Sequence, residues 1–386
     1  MSNAMVSDPA AGACHPAPVA GAEDPWLHWF EPARSGDEAT LQAWCATVGP
    51  PVFEPLPDAF INHDATVRIM LATWNTHGGS GELVRFIDQQ LGLACTETGP
   101  LPAGPDFVPF VLLVQEAYRA SDRVPVVDPG PTIPSRLVET PHDGPRIDIV
   151  EVARRCGLAL LYVPSMRNGY QESDGDREDR GNAILSTLPL SDPIAIELPF
   201  EAQRRVAVGA TAHLTVSRES QSADDSLRVV SLHLDTSSSL LRTLGTGNST
   251  RLRQGLGAVD ALALAERIGD VRILAVGEAP QESREVGPET EDCDEARAER
   301  HPISTVVAGD LNTWSDGQTV IRHLLCYFPE SPSPDGQSTR GVFPADHIFF
   351  RTVGSGRVEL EPDSYALVAD PYNSDHRARV GRLVIH

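Results

Sequence analysis

The chain has 386 residues, of which 54 are Asp or Glu and 31 are Lys or Arg, for a formal net charge of −23. A general nucleic-acid binder draws most of its affinity from Lys and Arg on phosphates, so this balance counts against one. It leaves open local phosphate binding through a metal ion and a few arginines. The 41% hydrophobic share supports a substantial core, and no apolar stretch approaches the roughly 18 residues that span a bilayer, so the chain reads as soluble.

The opening Met-Ser-Asn-Ala-Met reads as an expression scar followed by a native Met5, and residues 1–25 form an Ala/Pro/Gly-rich tail expected to be disordered. No basic, apolar leader follows Met5, which makes the cytoplasm the default location. Residues 26–65 carry Trp26, Trp29, Phe30 and Trp44 and are expected to be an aromatic arm packed on the main domain, with a capped helix over 35–45. From residue 66 to 386 the pattern is α/β.

Within that domain the predicted elements are a strand at 68–74, a helix at 82–91 and a strand at 110–115. A Pro-rich loop (119–145), a helix (146–156) and strands at 158–163, 182–187, 193–198, 206–216 and 227–234 follow. A long helix at 250–268 offers Leu252, Leu256, Val259, Leu262, Leu264 and Ala265 for a buried stripe. Residues 278–300 hold nine acidic and three basic residues and read as a solvated insertion. A strand (303–309), a helix (316–325) and strands at 345–351 and 379–385 close the chain. Consecutive strands between 182 and 234 imply antiparallel pairing, so the expected fold is a mixed two-sheet sandwich with helices outside.

Six cysteines are scattered without a Cys-x-x-Cys pair, which leaves zinc-ribbon and thioredoxin-like readings unsupported and makes reduced thiols the expectation.

Short polar motifs follow the apolar runs. They are Trp74-Asn75, Gln115-Glu116, His233-Leu234-Asp235, Gly309-Asp310-Leu311-Asn312, Asp346-His347 and Ser374-Asp375-His376. A buried strand ending in a carboxylate, amide or imidazole delivers that group to a sheet edge, and several such endings suggest one hydrolytic, metal-binding site. Asp310 suits a base that orients an attacking water, and Asn312 suits a neutral bond to that water or to a phosphate oxygen. Asp346 is a candidate to fix the tautomer of His376. His233 is a candidate general acid for the leaving oxygen. Glu116, leaving a buried strand, needs a partner such as a hard cation, with Asn75 as a neighbouring neutral oxygen. Carboxylates without Cys ligands favour Mg²⁺, or Mn²⁺ in its place, over zinc.

These motifs, together with GNAILS and DHIF and in this order, resemble the endonuclease/exonuclease/phosphatase superfamily over about residues 66–386. The resemblance implies a four-layer α/β/β/α sandwich, with two mixed, mainly antiparallel sheets packed face to face and helices outside. It also implies Mg²⁺-dependent cleavage of phosphoester bonds. Carried over by position, Glu116 is the main metal ligand, with Asn75 and Asp375 beside it. Asp310 and Asn312 are the water- and phosphate-positioning pair, Asp346 and His376 the carboxylate–imidazole pair, and His233 the second histidine. Some members carry Asp or Asn two residues after the first-strand Asn, where this chain has His77.

His77, Arg180 and Asn182 are the candidates for substrate contact. Arg242, Arg251 and Arg253 are the best local candidates for a polyanion path, or an exposed helix face; Arg204-Arg205 opens a further strand. Asp174 to Asp179 looks superficially like a calcium loop. It has Asp179 where that loop needs Gly and Leu185 where it needs Glu, so it reads as a solvated turn. The expected function is a Mg²⁺-dependent phosphodiesterase or phosphatase acting on a phosphorylated substrate of unknown class. A nuclease and a non-catalytic binding module of the same fold are the alternatives.

Overall fold

A computed structural model describes residues 27–30, 38–57, 68–101, 104, 106–126, 145–168, 177–200, 203–214, 226–236, 250–271, 303–333, 335–352 and 358–386. The tail at 1–25, Arg242, most of the Pro-rich loop and the acidic insertion at 278–300 lie outside the described residues.

In chain order the elements begin with β1 (His28–Phe30), α1 (Glu38–Cys45), β2 (Val52–Glu54), β3 (Arg68–Asn75) and α2 (Leu83–Leu91). Next come β4 (Cys95–Thr96), β5 (Gly99–Pro100), β6 (Phe110–Ala120), α3 (Ile149–Cys156) and β7 (Ala159–Arg167). Then follow β8 (Glu178–Ser186), β9 (Leu190–Glu197), β10 (Val206–His213), β11 (Ser226–His233) and α4 (Thr250–Val271). The last are β12 (Ser304–Asp310), α5 (Thr319–Tyr327), β13 (Asp346–Arg351), β14 (Val358–Leu360), β15 (Ala366–Leu367) and β16 (Arg379–Ile385).

A six-stranded sheet runs in the order β1-β9-β10-β11-β12-β13. An eight-stranded sheet runs β14-β16-β3-β6-β8-β7-β2, with β15 added to β16. Among the described residues, the strands of both sheets pair in parallel at β1/β9, β11/β12 and β3/β6 and antiparallel elsewhere. Each sheet is therefore mixed and mainly antiparallel.

Side-chain alternation explains the layering, because successive residues of a strand face opposite sides of its sheet. Ile69 and Leu71 of β3, Val111 and Leu113 of β6, and Ile184 of β8 meet Val208 of β10, Val229 of β11, Val306 of β12 and Ile348 of β13 in one core between the sheets. The alternate residues Ala72, Trp74, Leu112 and Val114 pack against Phe86 and Ile87 of α2 and Val152 of α3. Val230, Leu232, Val307 and Phe349 pack against Val259 and Leu262 of α4 and Val320, Ile321 and Leu324 of α5. The result is helices, sheet, sheet, helices: the four-layer α/β/β/α sandwich.

Helix α3 is well signalled locally. The Asp148 side chain accepts from the Val150 and Glu151 N–H groups, and Gly157 closes the helix in the left-handed conformation. Residues 28–30 and 52–54 extend both sheets, β1 beside β9 and β2 beside β7.

Three expectations are corrected. Strand β6 does not stop at 115 but runs to Ala120 through a bulge between Val114 and Ala117. Asp179 is not in a solvated turn. It is fully buried in β8 and takes bonds from Arg119 Nε at 2.9 Å and Tyr162 at 2.8 Å. The four described cysteines are not reduced: Cys95 is bonded to Cys156, and Cys45 and Cys326 are disulfide-bonded as well.

Candidate active site

The alternation that builds the inner core also builds the site. Continuing the inner positions of β3, β11, β12 and β13 by steps of two reaches Asn75, His233, Asp310 and Asp346, each at a strand end. The Asn75 amide nitrogen donates to Asp310 Oδ2 at 2.9 Å, and the Asn312 N–H donates to Asp310 Oδ1 at 2.7 Å. Gly309 is required just before, since a Cβ there would collide with the Leu232 carbonyl of β11.

Asp310, Asp346 and His376 are fully or almost fully buried. His376 Nδ1 lies 2.7 Å from Asp346 Oδ2, and His376 Nε2 lies 3.6 Å from Asp310 Oδ2. Burial opposes the His376 cation, but Asp346 and Asp310 outweigh it and push the imidazole up to about 10. Burial raises the Asp310 carboxyl to about 6, although His376, Asn75 and the Asn312 amide pull the other way. Asp346 stays below the usual carboxylate value, because His376 overcomes its burial. One acid is thus held ionised beside a cation, and the other is poised near neutrality. The Thr339 hydroxyl fixes the start of β13 by accepting from the Ala345 and Asp346 N–H groups at 2.9 and 3.0 Å.

His233 reaches the same carboxylate from the other side, with Nε2 3.5 Å from Asp310 Oδ2. Its Nδ1 lies 3.1 Å from Arg205 Nη1. Burial, then Arg205, hold this imidazole well below its ordinary value.

Glu116 sits in the β6 bulge with φ +53°, and His77 and Asn312 also adopt positive φ, at +50° and +52°. Strained backbone of this kind clusters where side chains are aimed for function. Glu116 Oε2 accepts from Arg180 Nη1 at 2.9 Å. Burial would raise the Glu116 carboxyl, yet Arg180, with Arg205 and His376, holds it far below its usual value. Asp375 Oδ2 pairs with Arg340 Nη2 at 2.8 Å, and its Oδ1 faces His77 Nδ1 at 3.6 Å and His376 Nε2 at 3.9 Å.

Two candidates are more heavily engaged in structure than their motifs suggest. The Asn182 amide nitrogen donates across the inner core to the Val206 and Ser231 carbonyls at 2.9 and 3.4 Å, clamping the two sheets together. The Asn312 amide nitrogen donates to the Leu234 carbonyl at 2.9 Å and ties the loop after β12 to the end of β11. Arg251 is buried, bonding Gln318 at 3.0 Å with its guanidinium over the Trp314 ring, so it is not part of an exposed basic face.

Arg340 and Gln115 join the site's surroundings without having been singled out as site residues. Gln115 Nε2 donates to the Ser231 hydroxyl of the facing sheet at 3.0 Å. Its inward parity on β6 was the available signal. Arg340 had none, because a turn brings it to Asp375 from outside any strand. Arg205 was visible as a basic strand opening, but its partner His233 was not.

Asp310, Asp346 and His376 offer ligand atoms within 4.8 Å of one another, a spacing at which a metal ion could be held. The proton inventory argues against that use of His376, whose Nδ1 bonds Asp346 and whose charge is stabilised on both sides. Glu116 is held ionised, Asn75 Oδ1 accepts the His77 N–H at 2.9 Å, and with Asp375 these are oxygen donors of the kind a hard cation takes.

No protein-family model matches the sequence, and no curated protein matches it. Solved structures of similar fold include an endonuclease/exonuclease/phosphatase from Beutenbergia cavernae, at 14% identity and TM-score 0.42, covering 83% of this chain and 72% of that one. An endonuclease/exonuclease/phosphatase family protein from Leptotrichia buccalis is 12% identical with a TM-score of 0.43, over 82% of this chain and 99% of that one. Sphingomyelinase C from Streptomyces griseocarneus is 12% identical with a TM-score of 0.37, over 83% and 99%. The solved structures to which this chain is similar thus include proteins of the endonuclease/exonuclease/phosphatase family, the family its ordered motifs resemble.

Proposed function

We propose that this chain is a Mg²⁺-dependent hydrolase of phosphoester bonds, a phosphodiesterase or phosphatase that uses an activated water. The observation that carries the reading is the buried Asp346–His376–Asp310 series, in which one carboxylate fixes an imidazolium and the other is raised to about 6. A carboxylate of that affinity takes a proton from water near neutral pH and returns it readily. Asn75 and the Asn312 N–H hold its two oxygens in place. The His376 cation is placed to stabilise charge gathering on phosphate oxygens. Glu116, Asn75 and Asp375 would hold Mg²⁺, or Mn²⁺ in its place, which when bound polarises the phosphate.

Charge supports a compact phosphate over a nucleic-acid polymer. The chain is strongly acidic overall, while Arg180, Arg205 and Arg340 gather at the site. A nuclease remains the alternative within the enzymes, and a binding module the alternative outside them. Disulfides at Cys45, Cys95, Cys156 and Cys326 favour an oxidising compartment over the cytoplasm. Among the described residues no helix is long and apolar enough to cross a membrane.

The test is a panel of DNA, RNA, sphingomyelin, inositol phosphates and an aryl phosphodiester, with and without Mg²⁺. Metal-dependent cleavage that disappears in Asp310→Ala and His376→Ala is expected. Cleavage undiminished in both variants would overturn the reading.

A further inference from the structure

Arg205 stands at the entry to β10, one residue before Val206, and is buried together with His233 at the end of neighbouring β11. Its Nη1 lies 3.1 Å from His233 Nδ1. A guanidinium N–H can only donate, so Nδ1 must present a lone pair, and the one proton of the neutral ring is on Nε2. That nitrogen faces Asp310 Oδ2 at 3.5 Å.

We infer that Arg205 is a positioning residue that locks His233 as the neutral Nε2–H tautomer, so that His233 serves the reaction as a hydrogen-bond donor beside Asp310 and not as an imidazolium acid. The role in the reaction rests on the phosphoester reading above; the tautomer stands without it.

The surroundings agree. Protonating Nδ1 would set an N–H against the guanidinium N–H that now donates to it. Besides Arg205, the charged groups bearing on the ring are Arg180 and His376, which disfavour its protonation, and Glu116 and the Asp310 carboxylate at 3.5 Å, which favour it. Arg205 is itself countered by Asp235, with Nε 4.0 Å from Oδ1. Asp235 is anchored by the Gln203 N–H on Oδ2 at 3.0 Å and by the bond from its own N–H to Gln254 Oε1 at 2.7 Å. The His-Leu-Asp sequence thus supplies both the imidazole and the counter-charge of the arginine that orients it. His376 is the opposite case, since its Nδ1 donates to the Asp346 carboxylate. Two imidazoles flank one carboxylate, one made cationic by a carboxylate and the other kept neutral by an arginine.

Water oxygen bonds to phosphorus, its proton passes to Asp310, and the bond to the leaving oxygen breaks. His233 Nε2–H donates a hydrogen bond without releasing its proton, and the leaving oxygen is protonated by solvent.

The test is ¹⁵N nuclear magnetic resonance of the imidazole rings in the full chain at pH 7, with His233 assigned by its disappearance in His233→Gln. The expected wild-type pattern is a pyridine-type Nδ1 and a pyrrole-type Nε2. In Arg205→Met that pattern gives way to exchanging tautomers, and Arg205→Lys restores it in part. A protonated Nδ1 in the wild type, or an unchanged pattern in folded Arg205→Met, would overturn the inference. If Arg205→Met does not fold, the wild-type spectrum decides alone. The role is read from kcat. Gln offers an N–H near the Nε2 position, so His233→Gln should lose no more than about tenfold, whereas a general acid should lose about 10²–10⁴-fold. Absence of phosphoester cleavage in the wild type would sink the functional reading and leave the spectrum to judge Arg205.

Discussion

The Asn75 amide nitrogen lies 2.9 Å from Asp310 Oδ2, so a single hydrogen bond joins the last residue of β3 in one sheet to the last residue of β12 in the other. The bond favours the ionised carboxylate, because an amide N–H has more to donate to an anion than to a neutral acid. Asn75→Ala should therefore raise Asp310 further above its value of about 6. The acid limb of the kcat/KM profile then moves to higher pH, and activity at pH 7 falls by about 10- to 100-fold. A limb that stays in place would show that Asp310 is not the group being titrated.

The Asp346–His376 pair links stability to alkaline pH. The imidazole rises from an ordinary value of roughly 6.5 to about 10 in the folded chain. A raised folded-state value means that the stabilisation is complete below the unfolded value and is lost as pH climbs through the folded one. Thermal midpoints should decline between roughly pH 6.5 and 10, and the decline should flatten in His376→Gln. Asp346→Asn, which cannot hold the imidazolium, should reduce kcat by about 100-fold or more.

Glu116 is the strongest candidate for holding a cation. Glu116→Gln keeps an acceptor for Arg180 while removing the charge. Calorimetric titration should show Mg²⁺ affinity weakened by at least about tenfold, with the fold intact by circular dichroism. Chelation of the wild type should abolish phosphoester cleavage, and added Mg²⁺ should restore it. Unchanged Mg²⁺ binding in Glu116→Gln would move the metal elsewhere.

The Cys95–Cys156 disulfide closes a loop with a sequence separation of 61. On loop entropy alone, such a closure stabilises by about 4 kcal/mol. Cys156→Ala, or reduction of the wild type, should lower the denaturation midpoint accordingly in urea titrations. A midpoint that does not move would show that the loop is already restrained by the β4–β5 ribbon and α3.

Much of this molecule was written in its alternation. Period-two patterning in β3, β11, β12 and β13 fixed which side chains face inward, and so sent Asn75, His233, Asp310 and Asp346 to one end of the space between the sheets. The ordered motifs carried the same information in compressed form. Tertiary structure alone decided what lies beside each group. The bulge that aims Glu116 depends on the β6–β8 pairing, and the cysteine bonds depend on distant segments meeting. Whether His233 is a neutral donor or a cation turns on Arg205, which stands 28 residues away in sequence and 3.1 Å away in space. Residue type and spacing can place an imidazole, but its proton is assigned by the neighbour that folding brings to it.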